Sequence, residues 1–223
     1  MDGAVTQRLS QAVGLAVVVA MLMSCGGGDS ASPSPVEPVI PVVVALGDSL
    51  TAGPGLSASE TYPSLLQTRA RAAGYPHEFV NAGVSGDTSQ DAVRRLEAAL
   101  VRDTGVLIVA LGANDGLRGV PISTIRRNLE IVIERAQSRN IRILLCGMET
   151  PPTRGWQYTL DFHRLFPDLA GRYGVRLMPF LLLGVVGDAN YNLGDGVHPN
   201  AAGMRVIADA MWPYLEPLLN ERR

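Results

Sequence analysis

From Val42 onward the chain alternates short apolar runs with longer stretches of helical period, and few architectures accept that alternation. The apolar runs cover residues 42–46, 78–81, 106–111, 141–147 and 176–180, and the helical stretches between them cover 62–73, 88–101, 123–139 and 156–173. In the third stretch Ile125, Leu129, Val132, Ile133 and Ala136 share one face, while Arg126, Arg127, Glu130 and Glu134 fall elsewhere. A last helix is expected to start after Asn200, a good N-cap, and to bury Met204, Ile207, Met211 and Leu215. Continuous apolar strands joined by helices make a parallel sheet covered on both faces. The expected fold is therefore α/β: a three-layer α/β/α sandwich around a mainly parallel five-stranded sheet. With 223 residues, 47% of them hydrophobic, the chain can build one well-cored domain and is short for two.

The N-terminus is different material. One arginine, Arg8, precedes an apolar run over residues 15–23, then Ser24, Cys25 and three glycines. That run is too short to span a bilayer, which takes about 20 apolar residues, and it fits the core of a signal peptide. Residues 22–25, Leu-Met-Ser-Cys, resemble a bacterial lipoprotein cleavage box, in which the cysteine becomes the lipidated first residue. The expected organisation is a leader over 1–24, a Gly/Ser/Pro-rich tether over 25–41 and a folded domain over 42–223. Cys25 would anchor the exported chain to a membrane, facing the periplasm or the cell exterior. Cys146 then has no disulfide partner, and its apolar surroundings make it a buried, inert thiol.

Charge and motif content narrow the function. A formal net charge of -2, with no arginine-rich stripe, offers nothing to a phosphate backbone, so nucleic acid is not an expected partner. The absence of lysine removes Schiff-base and P-loop lysine chemistry. No His/Asp/Glu cluster has metal-ligand spacing and no dinucleotide fingerprint is present, so neither metal nor cofactor is expected. A monomer is expected.

Each of the first three strands runs directly into a polar turn: Gly47-Asp48-Ser49-Leu50, then 82–87 (Ala-Gly-Val-Ser-Gly-Asp), then 112–116 (Gly-Ala-Asn-Asp-Gly). In an open parallel sheet the carboxyl ends of the strands share one edge, and ligands bind in the crevice outside it. One such turn means little, because Gly, Asp, Ser and Asn suit any strand-to-helix connection. The set gains meaning beside 195–200, Asp-Gly-Val-His-Pro-Asn, just before the last helix. A neutral imidazole can take a hydroxyl proton only if its other nitrogen is held in the right tautomer, and a carboxylate does that. Three residues across a glycine-containing turn bring Asp195 to His198. The other two histidines, His77 and His163, lack a local aspartate ahead of a polar turn and read as surface or core-edge residues. Ser49, Ser85 and Ser89 are all candidate nucleophiles on this edge, and Asp48 and Asp115 are read as shaping their own turns.

At these residues the chain resembles the GDSL or SGNH esterases. Gly47-Asp48-Ser49-Leu50 matches the first motif, Gly86 the second, Gly112-Ala113-Asn114-Asp115 the third and Asp195-Gly196-Val197-His198-Pro199 the last. Residues 112–119 are particularly similar to bacterial arylesterases and the acyl-CoA thioesterase I/lysophospholipase L1 group. The resemblance implies a flavodoxin-like SGNH hydrolase fold and a catalytic triad of Ser49, His198 and Asp195. It also implies an oxyanion hole made of the backbone N–H groups of Ser49 and Gly86 and the side-chain amide of Asn114. The substrate would be a small-molecule aryl or short-to-medium acyl ester, and further a thioester or lysophospholipid. Leu117, Val120, Pro121 and Leu183 are expected to line its pocket, with residues 148–158 and 181–193 nearby. Two alternatives stand beside this: a carbohydrate O-deacetylase on the same fold, and a non-catalytic small-molecule-binding envelope lipoprotein.

Overall fold

The structure, a computed structural model, describes residues 40–220. The leader, Cys25 and the tether as far as residue 39 lie outside the described residues. Five strands form one all-parallel sheet in the order β2-β1-β3-β4-β5, with β1 Val42–Gly47, β2 Glu78–Gly83, β3 Thr104–Ala110, β4 Arg142–Cys146 and β5 Arg176–Met178. The helices are α1 Ser49–Ala52, α2 Tyr62–Ala72, α3 Ser89–Ala99, α4 Ala113–Arg118, α5 Ile122–Gln137, α6 Trp156–Tyr173 and α7 Ala201–Asn220. Helices α2 and α7 pack together, as do α3 with α5 and α5 with α6, and the right-handed crossover rule for parallel strands assigns these two groups to opposite faces of the sheet. The result is the expected α/β/α sandwich with flavodoxin strand order.

Burial follows the strand order. Every residue of the central strand β3 is buried, and Leu107, Ile108 and Val109 have no exposed surface. Each such side chain contributes roughly 1.5–3 kcal/mol relative to exposure, so the strand is a rigid base for the turn that follows it. The edge strand β2 has no buried residue, and β5, at the other edge, is three residues long. The apolar face expected of α5 is fully buried, as are Met204, Ile207, Met211 and Leu215 of α7. Asn200 caps α7, its Oδ1 accepting the N–H groups of Ala202 and Gly203 at 2.9 and 3.0 Å. Cys146 is a buried free thiol, pushed well above its ordinary pKa by burial.

Two helices depart from the sequence reading. The turns expected at 47–50 and 112–116 run into the short helices α1 and α4, which begin within them. Four and six residues are too few to show a helical period, and their Gly, Asn and Asp content argues locally for turns. The fit of α1 depends on glycine: a Cβ on Gly83 would lie 2.3 Å from the amide nitrogen of Ala52, so only glycine lets α1 pack on β2.

Candidate active site

In this strand order the chain reverses direction between β1 and β3, the place where a doubly wound sheet opens a crevice. The turns after those two strands carry Ser49 and Asn114. Asp48 caps α1, its Oδ1 accepting the N–H of Leu50 at 2.9 Å, and so fixes Ser49 as the first helical residue, half-buried at the sheet edge. On the far side the bridge between Asn192 and Pro199 closes the turn that holds Asp195 and His198.

Three side chains stand in line. His198 Nε2 is 2.9 Å from Ser49 Oγ, and His198 Nδ1 is 2.6 Å from Asp195 Oδ2. Asp195 Oδ1 accepts the backbone N–H groups of Val197 and His198 at 2.9 and 3.0 Å. The His198 contact first, and these two N–H groups next, hold the Asp195 carboxyl well below the usual carboxylate range. An ionised carboxylate has no proton to donate, so Nδ1 donates to it and the Nε2 lone pair is left facing the serine hydroxyl.

Asn114 and Gly86 come from the two neighbouring turns. Asn114 Nδ2 donates to Asp87 O at 3.0 Å and, more weakly, to Asp48 Oδ2 at 3.3 Å. Gly86 has φ +86°, a left-handed conformation that disfavours any side chain, while a Cβ there would meet nothing nearer than Arg118 at 3.9 Å. Glycine is therefore required at 86 by the turn's own backbone rather than by crowding within the protein. Asp48 is fully buried, and burial raises its pKa to about 6 against the opposing effect of its bonds from Leu50 and Asn114.

Several supporting residues were not visible in the sequence. Arg95 of α3 ties three segments together: its guanidinium bonds Asp87 at 2.5 Å, Ala82 O at 2.8 Å and Gly47 O at 2.9 Å. Buried Asp115 accepts both the N–H and the hydroxyl of Ser89, which in turn accepts from Asn128. Ser89 is thereby committed to structure, Ser85 is exposed, and Ser49 alone of the three candidates meets His198. Arg118 donates to Gly86 O at 2.9 Å, joining α4 to the second turn.

A cavity of about 570 Å³ opens beside Ser49 and His198. Leu117 lines it as expected, together with Met148 and Pro151 after β4 and Phe180, Leu182 and Val186 after β5. Val120, Pro121 and Leu183 do not. Gly119, at φ 69°, ends α4 and turns the chain away, so that Val120 packs against the core with its carbonyl accepting from Tyr158, and Pro121 is the N-cap of α5. Leu183 lies 66% exposed in a run of turns, and its neighbour Leu182 takes the inward place. A larger depression of about 680 Å³ lies at the opposite, amino ends of β4 and β5, lined by Arg142 and Arg176 among others, with no nucleophile or base beside it.

A serine, imidazole and carboxylate in line beside an apolar cavity, at the carboxyl edge of a flavodoxin-like sheet, define the class: a serine hydrolase acting on carboxylic esters. Comparison with known proteins agrees. The GDSL-like lipase/acylhydrolase family matches residues 45–206. Esterase TesA of Pseudomonas aeruginosa is 37% identical over 178 residues, covering 79% of this chain and 89% of the relative. The Escherichia coli (strain K12) protein named thioesterase 1/protease 1/lysophospholipase L1 is 36% identical over 176 residues, 78% of this chain and 83% of that one. The crystal structure of the psychrotrophic esterase EstA from Pseudoalteromonas sp., inhibited by monoethylphosphonate, superimposes with a TM-score of 0.76 at 32% identity, covering 81% of this chain and 99% of the other. The chain belongs to the GDSL-like lipase/acylhydrolase family.

Proposed function

We propose that this enzyme hydrolyses aryl and short-to-medium acyl esters through an acyl-enzyme formed on Ser49. The observation that carries the reading is the unbroken line Asp195–His198–Ser49, at 2.6 and 2.9 Å. His198 Nε2 takes the proton of Ser49 as Oγ attacks the acyl carbon, and Asp195 stabilises the imidazolium that forms. The tetrahedral oxyanion is held by the N–H groups of Ser49 and Gly86 and the amide of Asn114. His198 then gives its proton to the leaving alcohol, which departs. Water, deprotonated by the same nitrogen, attacks the acyl-enzyme; collapse releases the acid and returns the proton to Ser49.

The apolar lining of the cavity favours a hydrocarbon acyl or aryl part over a sugar. The name of the Escherichia coli relative extends the expected range to thioesters and lysophospholipids. A panel of p-nitrophenyl esters of increasing chain length, with acyl-CoAs and acetylated sugars beside it, ranks these classes. Ester turnover that survives Ser49→Ala would overturn the mechanism, and preference for acetylated sugars would overturn the substrate class. We also propose that the enzyme works as a monomer, exported and held at a membrane by lipid on Cys25. Cys25→Ala is then expected to move it from the membrane fraction to the soluble fraction, and an unchanged distribution would refute the anchor.

A further inference from the structure

The cavity wall contains three ionisable side chains: Asp48, His198 and Glu149. The first two belong to the machinery around Ser49. Glu149, in the turn after β4, has no part in the proposed reaction, yet it is a lining residue of a cavity whose apolar part is formed by Leu117, Met148, Phe180, Leu182 and Val186 among others. Its side chain is 35% exposed, and its Oε1 lies 2.6 Å from Nδ1 of His163, a residue of α6 outside the lining. Thr150, next along the chain and also in the wall, has a buried hydroxyl without a hydrogen-bond partner among the described residues.

No arginine lines the cavity, and the basic side chain in contact with Glu149 is His163, 62% exposed and outside the lining. Arg118 and Arg154, the cations nearest in the chain to the lining turns, are directed to the carbonyls of Gly86 and Leu117 at 2.9 and 3.2 Å. A negative charge at the edge of an apolar cavity selects by repulsion as much as by attraction, because an anionic substrate must bring its own charge beside it, at an energy that solvent screens but does not remove.

We propose that Glu149 sets the charge this cavity accepts, admitting esters with a cationic group on their hydrocarbon part and excluding anionic ones. The proposal rests on the esterase reading of the same cavity. Because the carboxylate is part-exposed, the expected preference is about five-fold on either side of a neutral ester, the scale of a screened ion pair.

The test uses three p-nitrophenyl esters of one length: hexanoate, 6-(trimethylammonio)hexanoate and the half ester of adipate. In parallel, calorimetry measures the binding of hexyltrimethylammonium, hexan-1-ol and hexanoate, which needs no turnover. Wild type is expected to rank cation over neutral over anion in kcat/KM and in affinity. Glu149→Gln should bring both ratios towards one, and Glu149→Lys should invert them. Ratios that Glu149→Gln leaves unaltered, or a wild-type preference for the anion, would overturn the proposal. Failure of the esterase reading has a different signature: none of the three esters is cleaved, while the binding order still reports on Glu149.

Discussion

Replacing Asn114 with alanine probes the oxyanion site at the point where the structure is most specific about magnitude. The Asn114 amide has two hydrogens, and both have resting acceptors, Asp87 O at 3.0 Å and Asp48 Oδ2 at 3.3 Å. To donate to an oxyanion it gives up one of them, and the longer bond to Asp48 is the weaker. Removing a single oxyanion donor costs about 2.7–4 kcal/mol of transition-state stabilisation, and the surrendered hydrogen bond returns about 1 kcal/mol. The expected loss in kcat is therefore near the lower end, about two decades, with KM little changed. The variant also leaves Asp48 with only the Leu50 N–H, so its pKa, already raised to about 6, is expected to climb further. Steady-state hydrolysis of p-nitrophenyl butyrate between pH 5 and 9, with thermal unfolding as a fold control, measures both effects. A folded Asn114→Ala enzyme with wild-type kcat and raised KM would place Asn114 in ground-state binding and refute the reasoning.

Other outcomes follow from neighbouring contacts. Arg118 holds the Gly86 carbonyl, so Arg118→Ala should lower kcat about ten-fold with KM nearly constant, and Arg118→Lys should recover part of the loss; an effect on KM alone would contradict this. Asp48 titrates at about 6 when folded against 3.8 for the free group, so the native state binds its proton more tightly than the unfolded chain does. Its contribution to stability is full below pH 3.8 and is lost as pH rises through 6, a swing of about 3 kcal/mol. Urea unfolding of wild type and Asp48→Asn from pH 4 to 8 isolates that swing as a sloping difference, and a flat difference would refute it.

Much of this was legible in residue order. Apolar runs located all five strands, the helical period located the long helices, and Asn200 marked the start of α7, because those signals are local. The Asp195–His198 spacing was readable for the same reason: both residues sit in one turn. What escaped was whatever depends on elements meeting in space. His163 has no local aspartate ahead of a polar turn, and its partner Glu149 comes from the turn after a strand. Nothing local marks Arg95, a residue of an amphipathic helix, as the side chain that binds one turn and the ends of two strands. Leu183 and Leu182 are indistinguishable by composition, and only the path of the turn after β5 decides which faces the cavity.

The central claim is that Ser49 is the acylated nucleophile. Incubation with a fluorophosphonate, followed by intact-mass measurement and peptide mapping, tests it without choosing a substrate. The account predicts a single adduct on Ser49 in wild type and none in Ser49→Ala, with labelling far slower in His198→Ala. An adduct retained by Ser49→Ala, or mapped to Ser85, would contradict it.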